Sequence, residues 1–166
     1  MKERVIASYR VNGRDVPDAK PNPKTATQKT GLLSTKIVFG TDSSLMIATR
    51  QRGYHSLPHV HGAEQLNYVL SGSIWFFIEE EGIEAVEGDF VRIPKGKVHW
   101  AWTKSGPCTL VEVHAPPLIG DAELREKAVG LLSADEDGLS IQGIENIFVD
   151  YPGVAEIEKR ACGETE

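Results

Sequence analysis

Two stretches in the middle of the chain decide the fold: GYHSLPHVHGAEQ at residues 53–65 and GDFVRIPKGKVH at residues 88–99. Side chains on an extended strand alternate between its two faces. His59, His61 and Gln65 all occupy odd-numbered positions, so an extended chain points them the same way, whereas a helix would separate the two imidazoles. The first stretch is therefore predicted to be extended, with three polar side chains on one face.

Two imidazoles and an amide oxygen on one face are typical of a metal-ligand set. A further ligand is expected from a neighbouring strand, and His99 is the candidate. Glu64 is the rival of Gln65 as the oxygen ligand. Its even parity points it to the opposite face, unless a bulge at Gly62 and Ala63 shifts the register.

The bulk properties indicate an ordinary globular protein with an acidic balance. The chain has 166 residues, 40% of them hydrophobic and 25% charged, and a formal net charge of -6. The negative charge argues against nucleic acid or an anionic membrane surface as a partner. Cys108 and Cys162 are distant in sequence, which favours free thiols in a reducing compartment, and no apolar run has the length of a signal peptide or membrane span. We therefore expect a cytoplasmic protein.

The order of short strand signals predicts an all-β fold. Runs of four to seven β-prone residues alternate with Gly-rich turns and no helix intervenes, a pattern typical of an antiparallel sandwich or barrel. We expect one domain over residues 1–166, made of an N-terminal arm at 1–31, a barrel at 32–118, and a helix and tail at 119–166. Within the last part, residues 121–132 have helical periodicity, and residues 154–161 are expected to form a further helical turn or two.

One hairpin is predicted around Gly72. Residues 65–70 and 74–79 each have strand character, and Ser71, Gly72 and Ser73 between them are typical turn residues. The interpretation is two antiparallel neighbours joined by a tight glycine turn.

These motifs resemble the two signatures of the cupin superfamily. The first runs from Gly53 through His59-x-His61, three further residues and Gln65 to Gly72, and the second from Gly88 through Pro94-x-Gly96 to His99. Together they cover about a third of the chain. The resemblance implies an antiparallel double-stranded β-helix, also called a cupin or jelly-roll barrel, with one metal ion near its mouth.

Carried over by position, the resemblance implies that His59, His61, Gln65 and His99 bind one divalent ion. Iron(II) is favoured, and manganese, nickel, zinc and copper suit the same donors. The sequence departs from the usual pattern twice, because glutamine replaces the common glutamate ligand at Gln65 and Thr103 stands where asparagine is usual. The first change removes a negative charge from the expected site.

Several other residues are candidates for contact with a substrate or support of the ligands. Asn67 shares the parity of the ligands and is expected to face the cavity. His55, His114 and Arg50 are further candidates. The alternative for His55 is an ordinary loop residue, and for His114 a buried or rim histidine without a role in the site. The alternative for Arg50 is a solvated surface residue. Trp102 belongs to an aromatic group that either lines the cavity or covers an outer face of the sheet; its members are Trp75, Phe76, Phe77, Trp100 and Trp102.

The function expected from the resemblance is that of a mononuclear metal enzyme. Oxygen-dependent cleavage of a small aromatic or dicarbonyl substrate is the first hypothesis, and the catalytic residues are left unknown. A non-oxidative isomerase, cyclase, decarboxylase or lyase and a non-catalytic ligand-binding protein are the alternatives. The resemblance also implies a homodimer, which the aromatic outer faces and the N-terminal arm would support.

Overall fold

Antiparallel strand pairing builds most of the molecule. The computed structural model describes residues 9–16, 18, 32–117, 132–133 and 146–163. Its elements, in chain order, are β1 (Leu33–Phe39), β2 (Ser44–Arg50), β3 (His59–Val60), β4 (Glu64–Ile78), β5 (Glu81–Val86), β6 (Phe90–Ile93), β7 (His99–Trp102), β8 (Cys108–Ala115), β9 (Leu132–Ser133), β10 (Ile147–Phe148) and the helix α1 (Val154–Cys162). Each pairing between these strands is antiparallel.

The strands form one curled sheet. Their order is β10-β3-β7-β4-β8-β2-β1-β9, and β5 and β6 are each paired with β4. The sheet curls into a half-barrel, with α1 as a short helix at its C-terminal end. The prediction of an antiparallel β fold with a short C-terminal helical segment is confirmed.

The prediction of a hairpin around Gly72 is wrong. Residues Glu64–Ile78 form a single strand that bends instead of reversing. The register against β8 shifts between Val69 and Ser71, and Gly72 adopts a φ of 79°. A Cβ at Gly72 would lie 2.0 Å from the carbonyl oxygen of Pro107, so only glycine fits where β8 passes this close. The glycine thus permits a bend and a close strand contact. Because Ser71 and Ser73 beside it are typical turn residues, the sequence indicated a turn instead.

The inward face of the curled sheet changes from polar to apolar along β4 and β8. Three successive register pairs show the change: Gln65 with His114, Asn67 with Glu112, and Val69 with Leu110. The apolar part continues into a buried cluster of Val69, Ile74, Phe76, Ala85, Val91, Ile93, Ala101, Cys108 and Leu110. Burial of this cluster supplies hydrophobic stabilisation, while the polar part provides a place for a functional site.

Helix α1 covers the opposite face of β4 and β7. Ile157 of the helix is buried against Phe77 and Trp100, and Trp75 and Trp102 pack around this group. Trp75 is paired with Trp102, and Phe77 with Trp100, across the two strands. Four of the five aromatic side chains considered in the sequence analysis therefore lie beneath α1, and Phe76 belongs to the buried cluster on the inward face.

Some sequence predictions fall on residues that the structure does not describe. The helix predicted at 121–132 and most of the arm at 1–31 lie outside the described ranges, except that Leu132 belongs to β9, which pairs with β1. The second predicted helical segment is present as α1. The proposed division of the chain into arm, barrel and tail stays a prediction. Cys108 and Cys162 are free thiols.

Candidate metal centre

Three strands and the link between two of them bring the predicted ligands together. His59 lies on β3 directly opposite His99 on β7, and Gln65 lies near the start of β4. His61 is placed by the short link between β3 and β4, where its carbonyl oxygen accepts a hydrogen bond from the Gly96 amide. The two histidine-bearing stretches are thus joined by a strand pair and by a turn contact, which fixes their histidines relative to one another.

The three histidines form a compact cluster. One ring nitrogen from each of His59, His61 and His99 lies within 4.8 Å of the corresponding nitrogens of the other two. The ring centroid of His99 is 4.3 Å from that of His59 and 4.7 Å from that of His61. A single ion can be reached by all three imidazoles at this spacing.

Backbone carbonyls determine the tautomer of all three rings. The Nδ1 atoms of His59, His61 and His99 lie 2.7, 2.9 and 2.9 Å from the carbonyl oxygens of Leu57, Ala63 and Lys97 respectively. A carbonyl oxygen can only accept, so each neutral ring must carry its proton on Nδ1. Each Nε2 therefore presents a lone pair, which is the form that binds a metal.

Gln65 presents its oxygen to the same place. Asn67 donates through Nδ2 to the carbonyl of Val91 at 3.3 Å, so its Oδ1 must accept, and it does so from Gln65 Nε2 at 2.8 Å. Gln65 Oε1 then lies 3.2 Å from Nε2 of His61. Both atoms are acceptors in these tautomers, and a bound cation is a partner that would satisfy both of them. This geometry fits a metal ion held by three imidazoles and one amide.

The side chain of Glu64 points away from the histidine cluster. It lies on the outer face of β4 and pairs with Arg92, whose Nε donates to Glu64 Oε2 at 2.7 Å. Its side chain is 39% exposed, whereas the whole of Gln65 is only 6% exposed. The residues positioned around the histidine cluster thus include no carboxylate at the place where glutamate is the common cupin ligand.

Burial keeps two of the three histidines, His59 and His99, uncharged. Removal from water lowers the pKa of His59 to about 4, with smaller lowering effects from the charges of His61 and Arg50. Burial likewise lowers the pKa of His99 to about 3, and the neighbouring charge of His59 acts in the same direction. Both rings are therefore neutral near pH 7, as metal ligands must be.

His114 and Arg50 lie inside the curled sheet. The His114 ring centroid is 5.5 Å from that of His61, and burial lowers the pKa of His114 to about 3. Arg50 is only 7% exposed and forms an ion pair with Glu112, so the expectation of a solvated Arg50 is wrong. Glu112 was not singled out by the sequence; its one signal is that it shares the parity of Leu110 and His114 on β8.

His55 and Trp102 belong to the contact with α1, away from the histidine cluster. His55 Nε2 lies 2.6 Å from Glu158 Oε1, and its ring packs edge-on against Trp102. Trp100 Nε1 donates to the same carboxylate oxygen at 2.8 Å. These residues therefore attach the helix to the sheet.

Thr103 performs a structural role at the position where cupins usually have asparagine. It is fully buried, its hydroxyl donates to the carbonyl of Gln51 at 2.5 Å, and the amide of Tyr54 donates to it at 3.1 Å. The departure from the pattern thus leaves the loop before the first signature anchored to the end of β7.

Phe148 is a neighbour of the site that the sequence did not identify. Strand β10 pairs with β3 so that Phe148 lies opposite His59, with ring centroids 6.0 Å apart. Phe148, which is 36% exposed, provides an apolar side chain beside the first ligand.

Comparison with known proteins agrees with this geometry. The family model described as "Cupin domain" matches residues 46–114, which contain both histidine stretches. Together with the fold, this match supports the cupin superfamily for this part of the chain. No match is found among curated protein sequences.

Solved structures share the fold at low sequence identity. The polyketide cyclase RemF from Streptomyces resistomycificus is 18% identical with a TM-score of 0.56, over 86% of this chain and 88% of its own. An RmlC-like cupin from Shewanella frigidimarina is 16% identical with a TM-score of 0.56, over 66% of this chain and 92% of its own. A putative ethanolamine utilization protein Q from Salmonella typhimurium is 16% identical with a TM-score of 0.51, over 59% and 78% respectively. These similarities support the fold alone.

No helix within the described ranges is long and apolar enough to cross a membrane.

Proposed function

We propose that this chain is a mononuclear metal-dependent cupin enzyme that acts on a small organic substrate. His59, His61, His99 and Gln65 would hold one divalent ion. The observation that carries the proposal is the contact of two acceptors, Nε2 of His61 and Oε1 of Gln65, at 3.2 Å beside two further histidines in the same tautomer. Imidazole and amide donors suit iron(II) first, and manganese, nickel, zinc or copper as alternatives.

When bound, the ion would supply Lewis acidity and, in the case of iron, reaction with dioxygen. The protein's own residues supply the surroundings. Asn67 fixes the amide of Gln65, the carbonyls of Leu57, Ala63 and Lys97 fix the rings, and Phe148 borders His59 on one side. Such fixed orientation of ligands is what a catalytic metal site requires.

Metal content tests the site directly. His59→Ala and His99→Ala are expected to weaken metal binding by more than ~100-fold, since loss of even a supporting contact costs ~10–100-fold. His55→Ala is the matched control, because His55 contacts Glu158 instead of the cluster. Metal stoichiometry after dialysis, measured by mass spectrometry, gives the answer. Full metal content in both ligand variants would overturn the assignment.

The first reaction class that we propose is oxygen-dependent cleavage of the substrate by a dioxygenase. It is supported by the cupin fold and by a neutral nitrogen-rich donor set that suits iron(II). The test is oxygen uptake by the iron(II) protein with catechols, β-diketones and keto acids. Four of the five aromatic residues considered in the sequence analysis lie beneath α1, so this group does not support an aromatic substrate.

A non-oxidative lyase, cyclase, isomerase or decarboxylase is the second candidate, and Glu112 is the observation that favours it. This carboxylate is 2% exposed, and its Oε2 lies 4.0 Å from Nε2 of His114. A buried carboxylate in the same polar interior as the ligands is a group that can accept or return a substrate proton. Product formation without oxygen uptake would select this class, and saturable binding without any product would indicate a ligand-binding protein.

We also propose that the chain forms a homodimer. The aromatic face of β4 and β7 is covered by α1, so the proposal rests on the outer face of the other part of the sheet, which exposes large apolar side chains: Leu45, Ile47, Leu66, Leu70 and Phe90. Phe90 is the most exposed of these five side chains, at 80%. Apolar patches of this kind are typical of protein interfaces. Light scattering at micromolar concentration is the test, and a monomeric mass would contradict the proposal.

A further inference from the structure

Arg50 places an incompletely paired guanidinium inside the sheet. It is the last residue of β2, its side chain is 9% exposed, and its Nη2 donates to Glu112 Oε1. Among the described residues, its Nε and Nη1 atoms have no hydrogen-bond partner although both are buried. Burial lowers the pKa of Arg50, but the charge of Glu112, with further contributions, outweighs it and the net pKa is raised, so the group stays cationic. A buried cation with free donors is costly unless something accepts from it.

A short series of contacts links Arg50 to the candidate metal centre. Glu112 accepts from Arg50 with one oxygen, and its other oxygen lies 4.0 Å from Nε2 of His114. The ring of His114 is in turn 5.5 Å from that of His61. The free donors of Arg50 therefore belong to the same polar interior as the ligands.

The charges of this interior do not balance once a divalent ion is bound. An imidazole or an amide that binds a metal ion does so as a neutral group, so the four proposed ligands bring no negative charge. Glu112 is the one carboxylate that is buried among the described residues, and Arg50 already neutralises it. The two positive charges of the ion thus lack a protein counter-charge, and a buried charge is stable only when it is compensated.

We propose that the natural substrate is a small organic anion, whose carboxylate or enolate oxygen is bound by the free donors of Arg50 while the ion compensates its charge. This deepens the function proposed above and rests on the metal site. Arg50 is then the residue that selects an anionic over an uncharged substrate, since guanidinium is the side chain best suited to planar oxyanions. Glu112 holds the guanidinium in place from the other side.

Pyruvate and its uncharged amide, pyruvamide, form a matched pair of probes. Cobalt(II) is loaded into the protein, and the visible absorption of the ion is followed during titration with each probe. The wild-type protein is expected to bind pyruvate at least ~10-fold more tightly than pyruvamide, because hydrogen bonds to a charged partner are the stronger ones. Arg50→Lys should lower the affinity for pyruvate by ~10-fold or more and leave that for pyruvamide unchanged.

Loss of Arg50 alone would leave Glu112 buried without its partner, so the double variant Arg50→Gln/Glu112→Gln is the second test. It removes one charge of each sign and keeps the net charge of the interior. We expect it to retain cobalt(II) and lose the preference for pyruvate. Arg92→Gln, which changes an exposed arginine on the outer face, is the control and should behave as wild type.

The outcomes separate the two proposals. Failure of the wild-type protein to bind cobalt(II) would overturn the metal site itself. If cobalt(II) binds but pyruvate does not, or if pyruvate binds equally well to the Arg50 variants, then the metal site stands and the role of Arg50 is refuted.

Discussion

His61 and Gln65 face each other with two acceptor atoms. Nε2 of His61 lies 3.2 Å from Oε1 of Gln65, while Nδ1 of His61 is occupied by the carbonyl of Ala63 and the Gln65 amide nitrogen is occupied by Asn67. The network leaves neither atom a proton to share in the neutral protein. A cation bound between the two atoms would therefore stabilise this arrangement.

Replacement of Gln65 by glutamate is expected to strengthen metal binding. Gln65→Glu places a negative charge next to Nε2 of His61, and attraction between the carboxylate and a divalent ion should tighten binding by at least ~10-fold even in a high effective dielectric. Competition with a coloured chelator measures the dissociation constant. Glu64→Gln, on the outer face, is the control and should have no effect; a stronger effect there than at Gln65 would contradict the placement of the ligands.

Acidification is expected to destabilise the metal-free protein well above the range in which carboxylates titrate. Burial lowers the pKa of His59 to about 4 and of His99 to about 3, from an ordinary value of 6.5. Below pH about 6.5 the unfolded chain binds protons that the folded protein does not, so the free energy of unfolding falls with pH until the folded pKa values are reached. Urea unfolding of EDTA-treated protein at pH 7 and pH 5 measures the difference.

The double variant His59→Gln/His99→Gln should show a smaller change in the free energy of unfolding between these two pH values. An unchanged pH dependence in this variant would show that other groups cause the effect.

Glu158 is expected to determine how firmly α1 is attached. Its carboxylate accepts from Trp100 Nε1 and contacts His55 Nε2, and Glu158→Ala should reduce the free energy of unfolding by about 1–3 kcal/mol, as is typical for hydrogen bonds to a charged group. Burial raises the pKa of Glu158, but the contacts with His55 and Trp100 outweigh this and the net pKa is lowered. The stabilisation is therefore present above the ordinary pKa and is lost as the pH falls through the lowered value.

Thermal unfolding of Glu158→Ala and of Glu156→Ala forms a matched comparison, since Glu156 is an exposed residue in the first turn of the same helix. Equal losses in the two variants would indicate that helix propensity, and not the contact with the sheet, is what matters.

Gly72→Ala is expected to be more destabilising than Gly88→Ala. Both glycines have positive φ, 79° and 92°, which costs a non-glycine residue about 1–2 kcal/mol. A Cβ at Gly72 would also lie 2.0 Å from the Pro107 carbonyl oxygen, whereas nothing lies within 4 Å of a Cβ at Gly88. The clash should bring the cost at Gly72 to about 2–5 kcal/mol. Urea unfolding of both variants tests this, and similar losses would contradict the close contact.

The parity of side chains carried most of the successful predictions. Alternation within β4 correctly separated Gln65 from Glu64, whereas His59 and His61 lie on β3 and on the link that follows it, so they meet Gln65 through strand pairing. The direction of a side chain on a strand can be predicted from its position relative to neighbouring residues in the sequence alone. The sequence therefore predicted the strand character and the cluster of histidines without knowledge of the strand order.

Predictions that depended on distant pairing were less successful. The bend at Gly72 results from the approach of Pro107, and the burial of Arg50 results from its ion pair with Glu112. Neither partner is close in sequence, and a glycine or an arginine carries no local sign of such a contact. The attachment of α1 through Glu158 and His55 was missed for the same reason.

The continuity of β4 has a consequence for the order of events during folding. This one strand pairs with β5, β6, β7 and β8, all of which follow it in the chain. Gln65 and His61 are therefore synthesised before the strands that hold them in position, and His99 on β7 is synthesised before β8. Contacts between distant parts of a chain form slowly because loop closure must precede them. The proposed ligand set is consequently assembled only after the long-range pairing of β4 is made, so capture of the proposed ion would be a late step in the maturation of the protein.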